Sequence, residues 1–153
     1  MPWVCVIKSF NNDKPYDQFL QEQIAGDLLP TDQPQQRDEY FIATGFLAIG
    51  PKAISIGNDE EFHLELADEQ INTISRGVLG LTVGCARCHD HKFDPISAAD
   101  YYALTGVFLS TQTLFGTSAS GYKGRNNRQG RELIPIGPDA EQLHLACVEH
   151  QKQ

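Results

Sequence analysis

Apolar side chains recur every three or four positions between residues 60 and 83, and this spacing constrains the fold more than any other feature of the chain. The positions are Leu64, Ala67, Ile71, Ile74, Val78 and Leu79. Residues three or four apart lie on the same face of an α-helix, so the spacing predicts a helix over about 60–83. We therefore expect a mainly α fold with this segment as its longest helix.

Two more helices are predicted in the first third of the chain. Pro15 suits the first turn of a helix, and the apolar residues that follow at helical spacing predict a helix over about 15–29. The polar stretch 31–37 is interpreted as a linker. The apolar residues within 40–50, a segment that ends in a glycine followed by a proline, are interpreted as a second short helix.

A further helix is predicted after the turn that precedes Ser97. Ser97 and Asp100 have the spacing of a capping box, in which each side chain bonds the other residue's backbone N–H. The apolar residues that follow predict a helix that ends near Ser110. No internal repeat is present, so the helices are expected to differ from one another.

The chain is expected to contain one domain followed by two less regular segments. Residues 1–111 are predicted to form an irregular helical domain with long loops. Residues 112–137 are rich in Gly, Ser, Asn and Arg and are predicted to be a flexible basic loop. Residues 138–153 are predicted to form a short C-terminal helix.

The charge distribution restricts the partners of this chain. Residues 1–76 hold 5 basic and 13 acidic side chains, whereas the remainder hold 7 of each, so the formal net charge of -8 belongs to the N-terminal half. Nucleic acids and anionic membranes attract clustered Lys and Arg, so neither is expected as the main partner. No run approaches the roughly 18 apolar residues of a membrane span, and none is predicted.

The sequence from Cys85 to His89 matches the C-x-x-C-H pattern of covalent c-type haem attachment. Two thiols at this spacing can reach the same edge of a porphyrin while the next imidazole passes beneath the ring to the iron. Cys85 and Cys88 are therefore predicted to tether one haem. His89 is predicted to be the proximal iron ligand.

Three other interpretations of the motif remain open. Zinc accepts all the ligand types present, namely Cys85, Cys88, His89 and His91. Four ligands within seven residues are nevertheless cramped, because structural zinc usually draws two pairs from separated segments. A redox-active dithiol normally follows a strand, whereas a helix is predicted here. A chance match, with the cysteines acting as small apolar residues, is the third interpretation.

Charged residues and a second histidine beside the motif are candidates for supporting roles. Arg87 and Lys92 could compensate the negative charge of the haem propionates. His91 is too close to the proximal histidine to reach the opposite face of a haem, so it is predicted to contact a propionate or to support the metal ligand. Asp90 or Asp94 could accept the remaining imidazole N–H of the proximal ligand and make that ligand more basic.

The identity of a sixth iron ligand is not predicted. The only methionine is Met1, so a methionine ligand would require the chain terminus to fold over the haem. His63 lies 22 residues before Cys85 and is too distant if the helix between them is continuous. His144 and His150 fall within the predicted C-terminal helix, where a lone histidine is more often a surface residue or a satisfied core residue.

Long stretches of the sequence resemble one family. The run at 79–96, LGLTVGCARCHDHKFDPI, followed by DYYAL at 100–104, closely resembles the planctomycete-type cytochrome c family of large secreted bacterial proteins. Upstream stretches resemble the same family's domain of unknown function: VIKSFN at 6–11, DKPYDQF at 13–19, AGDLLP at 25–30 and ATGFL at 43–47. The resemblance covers about residues 3–111.

The resemblance implies a haem-binding, mainly helical module within a larger exported protein. We therefore expect a role in electron transfer or another redox process, with a redox protein or a neighbouring haem domain as partner. Full-length relatives are typically exported, which implies a periplasmic or secreted location, and the present sequence is expected to be a fragment. No hydrolase or nucleotide-binding motif indicates a stand-alone enzyme. The alternative is a structural zinc-binding or protein-interaction module that uses the same Cys and His residues.

Overall fold

Five α-helices contain most of the residues that the structure describes, and this structure, a computed structural model, describes residues 2–50, 59–111, 113, 136, 137 and 139. No strand occurs among these residues, so the predicted mainly α fold is confirmed. The predicted basic loop at 112–137 and the predicted helix at 138–153 lie outside the described residues, apart from four isolated positions. None of the described helices combines the length and the apolar character that a membrane crossing requires.

The helices are α1 (Pro2–Asn11), α2 (Tyr16–Ala25), α3 (Pro34–Thr44), α4 (Asp59–Ile74) and α5 (Ala98–Leu109). Short 3-10 turns occur at Gly26–Leu28, Gly45–Ala48 and Val83–Arg87, and a π turn occurs at Ser75–Leu79. The chain divides into two compact units, with α1 to α3 in the first and α4, α5 and the turns between them in the second.

The first unit packs α3 against both α1 and α2. The rings of Phe10 and Phe19 lie 5.7 Å apart between their centres and link α1 to α2. Lys8 on α1 forms an ion pair with Glu39 on α3. At Gly26, where a tighter turn follows α2, an added Cβ would lie 2.5 Å from the carbonyl oxygen of Tyr40 on α3. Only glycine lets the two backbones approach this closely.

Helix boundaries in the first unit differ from the predictions. The helix predicted over 15–29 is present, but its α-helical part ends at Ala25 and a 3-10 turn continues to residue 28. The linker predicted at 31–37 is wrong in its second half, because α3 begins at Pro34. Proline lacks the backbone N–H that the first helical position leaves unpaired, so it starts a helix at no cost. The first helix, α1, was not predicted.

The second unit has a small core beneath its surface turns. The buried core consists of Ile71, Val83, Ala86 and Tyr101, with Leu81, Ile96 and Phe108 packed against it. Helix α4 supplies one wall of the core and α5 the other, and these helices pack against each other. The core therefore fixes the position of the turn at Val83–Arg87, in which the Cys and His motif begins.

The longest helix is shorter than the sequence predicts. Instead of continuing to residue 83, α4 ends at Ile74, and a π turn extends it to residue 79. Gly80 then adopts a left-handed conformation with a φ of 67°, and its N–H and that of Leu81 both donate to the Ser75 carbonyl. Left-handed glycine is a common helix terminator. The apolar spacing continues through the π turn, which is why it overestimates the helix.

The start of α5 agrees with its prediction. The Ser97 hydroxyl accepts a hydrogen bond from the Asp100 N–H at 3.2 Å, and the Asp100 carboxylate accepts one from the Ser97 N–H at 2.9 Å. This reciprocal pair is the predicted capping box. The Asp100 carboxylate also accepts a hydrogen bond from the Ser97 hydroxyl at 2.7 Å, and this bond, followed by the one from the Ser97 N–H, holds the pKa of Asp100 below its ordinary value. The helix ends at Leu109, with Ser110 as its cap.

Candidate functional site

The turn at Val83–Arg87 has a buried side and an exposed side. Three residues complete one turn of a 3-10 helix, so residues three apart lie above one another. Val83 and Ala86 share the inner side, where Ala86 is 0% exposed. Cys85 and Cys88, which caps the turn, are both exposed and both free thiols. The C-x-x-C spacing therefore places both thiols on the exposed side of the turn.

Close packing beneath the turn explains the small residues of the motif. Ala86 lies against Ile71 and Tyr101 in the core. A Cβ added to Gly84 would lie 2.5 Å from the Asn72 side-chain oxygen on α4. The Asn72 amide is itself held on its own helix, because it donates to the Asp68 carbonyl at 2.9 Å. Larger residues at these positions would push the turn away from α4.

His89 lies on the exposed side, and its ring has a defined proton position. Its Nδ1 lies 2.7 Å from the carbonyl oxygen of Asp90. A carbonyl oxygen only accepts, so Nδ1 donates and the lone pair is on Nε2. The ring makes no other hydrogen bond among the described residues. His89 thus presents an exposed imidazole whose Nε2 makes no hydrogen bond among the described residues, and it directly follows Cys88 in the chain.

His91, unlike His89, has a nearly buried side chain, and both of its ring nitrogens form hydrogen bonds. Its Nδ1 accepts from the backbone N–H groups of Asp94 at 2.8 Å and Phe93 at 3.2 Å. Its Nε2 lies 2.9 Å from the Thr82 hydroxyl, to which it donates. The Asp94 carboxylate also lies 3.3 Å from Nδ1, but two amide hydrogens already point at that nitrogen. The side chain is 6% exposed, so His91 braces the loop from within.

Arg87 connects the motif to α4. Its guanidinium donates to Glu65 at 2.7 Å and lies 3.7 Å from Asp68. The hydrogen bond to Glu65 is the main reason that the pKa of Arg87 is raised. On the backbone side, the Tyr102 hydroxyl donates to the Arg87 carbonyl at 3.0 Å, which connects the turn to α5. Arg87 therefore has carboxylate partners within the protein.

Lys92, the other basic residue predicted for the site, lies on the exposed part of the loop. Its ammonium lies 5.1 Å from the centre of the Phe93 ring, a cation–π contact. Phe93 is 83% exposed, which is unusual for a phenylalanine. The pair leaves a cation and an aromatic ring together on the exposed loop that follows the motif.

Of the aspartates predicted to support His89, one does so through its backbone. The Asp90 carbonyl accepts the imidazole N–H, whereas the Asp90 carboxylate accepts the backbone N–H of Ala98 at 2.8 Å. The Asp94 carboxylate lies beside His91 instead. His63 is exposed on α4, and His144 and His150 lie outside the described residues.

Tyr101 is a buried residue that shares the Asp68 carboxylate with Arg87, and the sequence alone did not identify it as a site residue. Its hydroxyl donates to Asp68 at 2.6 Å, so the same carboxylate serves Tyr101 and the nearby Arg87. Tyr101 was recognisable as an apolar position of a helix, but the pattern carried no signal for its hydroxyl.

No group of three or more His, Cys, Asp or Glu side chains is arranged to hold a metal ion in the part of the chain that the structure describes.

Tyr101 gives a prediction about alkaline stability. Burial, followed by the hydrogen bond to Asp68, raises the pKa of Tyr101 far above its ordinary value of 10.0. Above pH 10 the unfolded chain then loses this proton before the folded chain does, so the free energy of unfolding should fall as pH rises. We expect Tyr101→Phe to be less stable at pH 8 but to show a smaller decline above pH 10. Urea unfolding across this pH range measures both, with Tyr102→Phe as the exposed control.

A known family includes both the helices and this site. Residues 3–113 match the model of the PSCyt2 family, described as "Protein of unknown function (DUF1549)". The chain therefore belongs to this family, which agrees with the domain of unknown function that its sequence resembles. No curated protein and no solved structure matches the chain.

Proposed function

We propose that this domain carries one covalently attached c-type haem and serves as a redox module of a larger exported protein. The observation that supports it best is the state of His89. Its Nδ1–H is engaged by the Asp90 carbonyl, which leaves the lone pair on Nε2, and the two thiols of the same motif are free and exposed. A haem iron bound by histidine needs this tautomer, because the ligating nitrogen must carry the lone pair.

The thiols suit the attachment chemistry. Addition of a thiol across a haem vinyl group forms one carbon–sulfur bond and transfers the thiol hydrogen to the neighbouring carbon, so nothing leaves. The reaction requires reduced and accessible sulfurs, and both Cys85 and Cys88 are free and exposed. An attached haem supplies a one-electron couple at its iron. The chain's own residues tether it, provide the imidazole ligand and keep the turn in place.

The two basic residues have different roles in this proposal. Arg87 is already paired with Glu65 and Asp68, so we assign it to holding the turn on α4. Lys92 is exposed and has an aromatic neighbour. We therefore assign Lys92, rather than Arg87, to a haem propionate, where a cation offsets the carboxylate charge.

The structural zinc alternative has less support. It requires His91 as the fourth ligand, and both nitrogens of that ring are engaged, one with Thr82 and the other with two backbone amides. Ligation by His91 would break at least one of these contacts. A haem needs only the two thiols and His89, all of which are exposed.

Co-expression with a cytochrome c maturation system tests the proposal. The full chain, directed to the periplasm, should be red, show a Soret band and retain its haem through acid–acetone extraction. Replacement of both Cys85 and Cys88 by serine should abolish retention. Cys5→Ser is the matched control, because Cys5 is a free cysteine on α1, and it should leave the colour unchanged. A colourless protein with alkylatable thiols, or stoichiometric zinc without a Soret band, would refute the haem assignment.

A further inference from the structure

We propose that Asp90 is a positioning residue that holds the His89 imidazole to the start of α5 and thereby sets the orientation and donor strength of its Nε2. Two different groups of the same residue make the connection. The backbone carbonyl accepts from His89 Nδ1 at 2.7 Å, and the carboxylate accepts from the Ala98 N–H at 2.8 Å. The consequence for iron rests on the proposed function, whereas the consequence for the imidazole does not.

The carboxylate contact fixes one side of Asp90. Ala98 is the first residue of α5, and the N–H groups of a first helical turn have no partner within the helix. A carboxylate at this end also interacts favourably with the helix dipole. Asp90 thus has a charged hydrogen bond to a rigid element, although it lies in a loop.

A second hydrogen bond holds the peptide group that joins Asp90 to His91. The His91 N–H belongs to the same peptide group as the Asp90 carbonyl, and it donates to the Ile96 carbonyl at 2.8 Å. The Ile96 N–H in turn donates to the Asp94 carbonyl at 2.7 Å. The Asp90 carbonyl is therefore held in a fixed direction from two independent anchors.

A fixed acceptor has two effects on His89. It restricts rotation of the ring, and it draws the Nδ1 proton so that Nε2 becomes a stronger donor to a metal. Removal of the Asp90 carboxylate would release one anchor and let the carbonyl move. The ring would then rotate more freely and bind its metal more weakly.

The same helix end offers a matched control. Ser97 also accepts a backbone N–H in the first turn of α5, but it has no connection to His89. Asp90→Ala and Ser97→Ala each remove one hydrogen bond to a backbone N–H of α5, and Ser97→Ala also removes the hydroxyl's hydrogen bond to the Asp100 carboxylate. A merely structural role for Asp90 predicts the same behaviour for both variants. Asp90→Asn keeps an oxygen that can accept from Ala98 and serves as the conservative variant.

Nitrogen-15 NMR of the haem-free chain tests the geometry directly. We expect His89 to be predominantly the Nδ1–H tautomer in the wild type, Ser97→Ala and Asp90→Asn, and a mixture of tautomers in Asp90→Ala. A mixture in the wild type, or an unchanged tautomer in Asp90→Ala, would overturn the inference. This NMR measurement tests whether Asp90 orients the His89 ring, and it does not depend on haem attachment.

The haem-loaded chain gives the second readout. Asp90→Ala should raise the reduction potential and increase by roughly tenfold the fraction of chains whose iron lacks the His89 imidazole, as expected when the partner of a ligating histidine is lost. Ser97→Ala and Asp90→Asn should keep the wild-type potential. Equal potentials in all four proteins would refute the positioning role while leaving the haem proposal intact. Absence of haem from the wild type would refute the proposed function instead.

Discussion

His89→Ala should alter the haem spectrum and His91→Ala should lower the stability of the fold, although the two histidines are only two residues apart. His89→Ala should leave the free energy of unfolding of the haem-free chain nearly unchanged, because its exposed ring makes one local hydrogen bond. It should remove the proximal iron ligand and alter the visible spectrum of the haem-loaded chain. His91→Ala should lower the free energy of unfolding by about 1–3 kcal/mol, because three hydrogen bonds of a nearly buried ring are lost.

Two conservative replacements refine the expectation for His91. An asparagine oxygen can replace Nδ1 as the acceptor from Phe93 and Asp94, whereas a glutamine nitrogen can replace Nε2 as the donor to Thr82. His91→Asn should therefore recover more stability than His91→Gln, since it keeps two of the three contacts. Urea unfolding followed by circular dichroism measures both. A His91→Ala chain as stable as the wild type, or equal loss of bound metal from both alanine variants, would contradict this division of roles and favour a shared metal site.

Ala86→Leu should be among the most damaging single changes in the second unit. Ala86 is 0% exposed and packs among core residues, so three additional carbon atoms cannot be placed without moving the turn. Overpacking of this kind typically costs about 1–3 kcal/mol. We also expect less haem attachment, because the thiols on the outer side of the turn would move with it.

The control for this substitution is the same change on the surface. Ala103 is exposed on α5, so Ala103→Leu should change the free energy of unfolding by less than about 0.5 kcal/mol. Thermal and urea unfolding compare the two variants, and the absorbance of attached haem per chain reports the effect on the thiols. Equal stability of Ala86→Leu and Ala103→Leu would show that the turn is not packed as described.

Local patterns predicted the parts of this fold that depend on local interactions. The capping box of Ser97 and Asp100 uses residues three apart, and the structure contains it. The sequence overestimated this helix because the π turn that follows α4 ends at the left-handed Gly80, and a glycine within an apolar repeat is compatible with both continuation and termination. The start of α3 was missed because its first residues are polar, although Pro34 is a favourable first residue.

The roles of residues in the candidate site also depend on contacts that local sequence patterns do not predict. The motif itself identified Cys85, Cys88 and His89, and the structure places all three on an exposed turn and loop. It could not separate the roles of His89 and His91, because these depend on which backbone groups approach each ring nitrogen. It also could not show that Arg87 is paired with α4, since Glu65 lies 22 residues earlier in the chain.

The bracing of the loop has a practical consequence for protein engineering. Its contacts run mainly between residues 82 and 98: the Thr82 hydroxyl with the His91 ring, the His91 amide with Ile96, and the Asp90 carboxylate with the Ala98 amide. A five-residue C-x-x-C-H insertion would carry the thiols and imidazole to a new scaffold without these supports. The smallest portable cassette is therefore the whole stretch from residue 80 to the first turn of α5, grafted onto a host whose surface can bury the side chains of Val83 and Ala86.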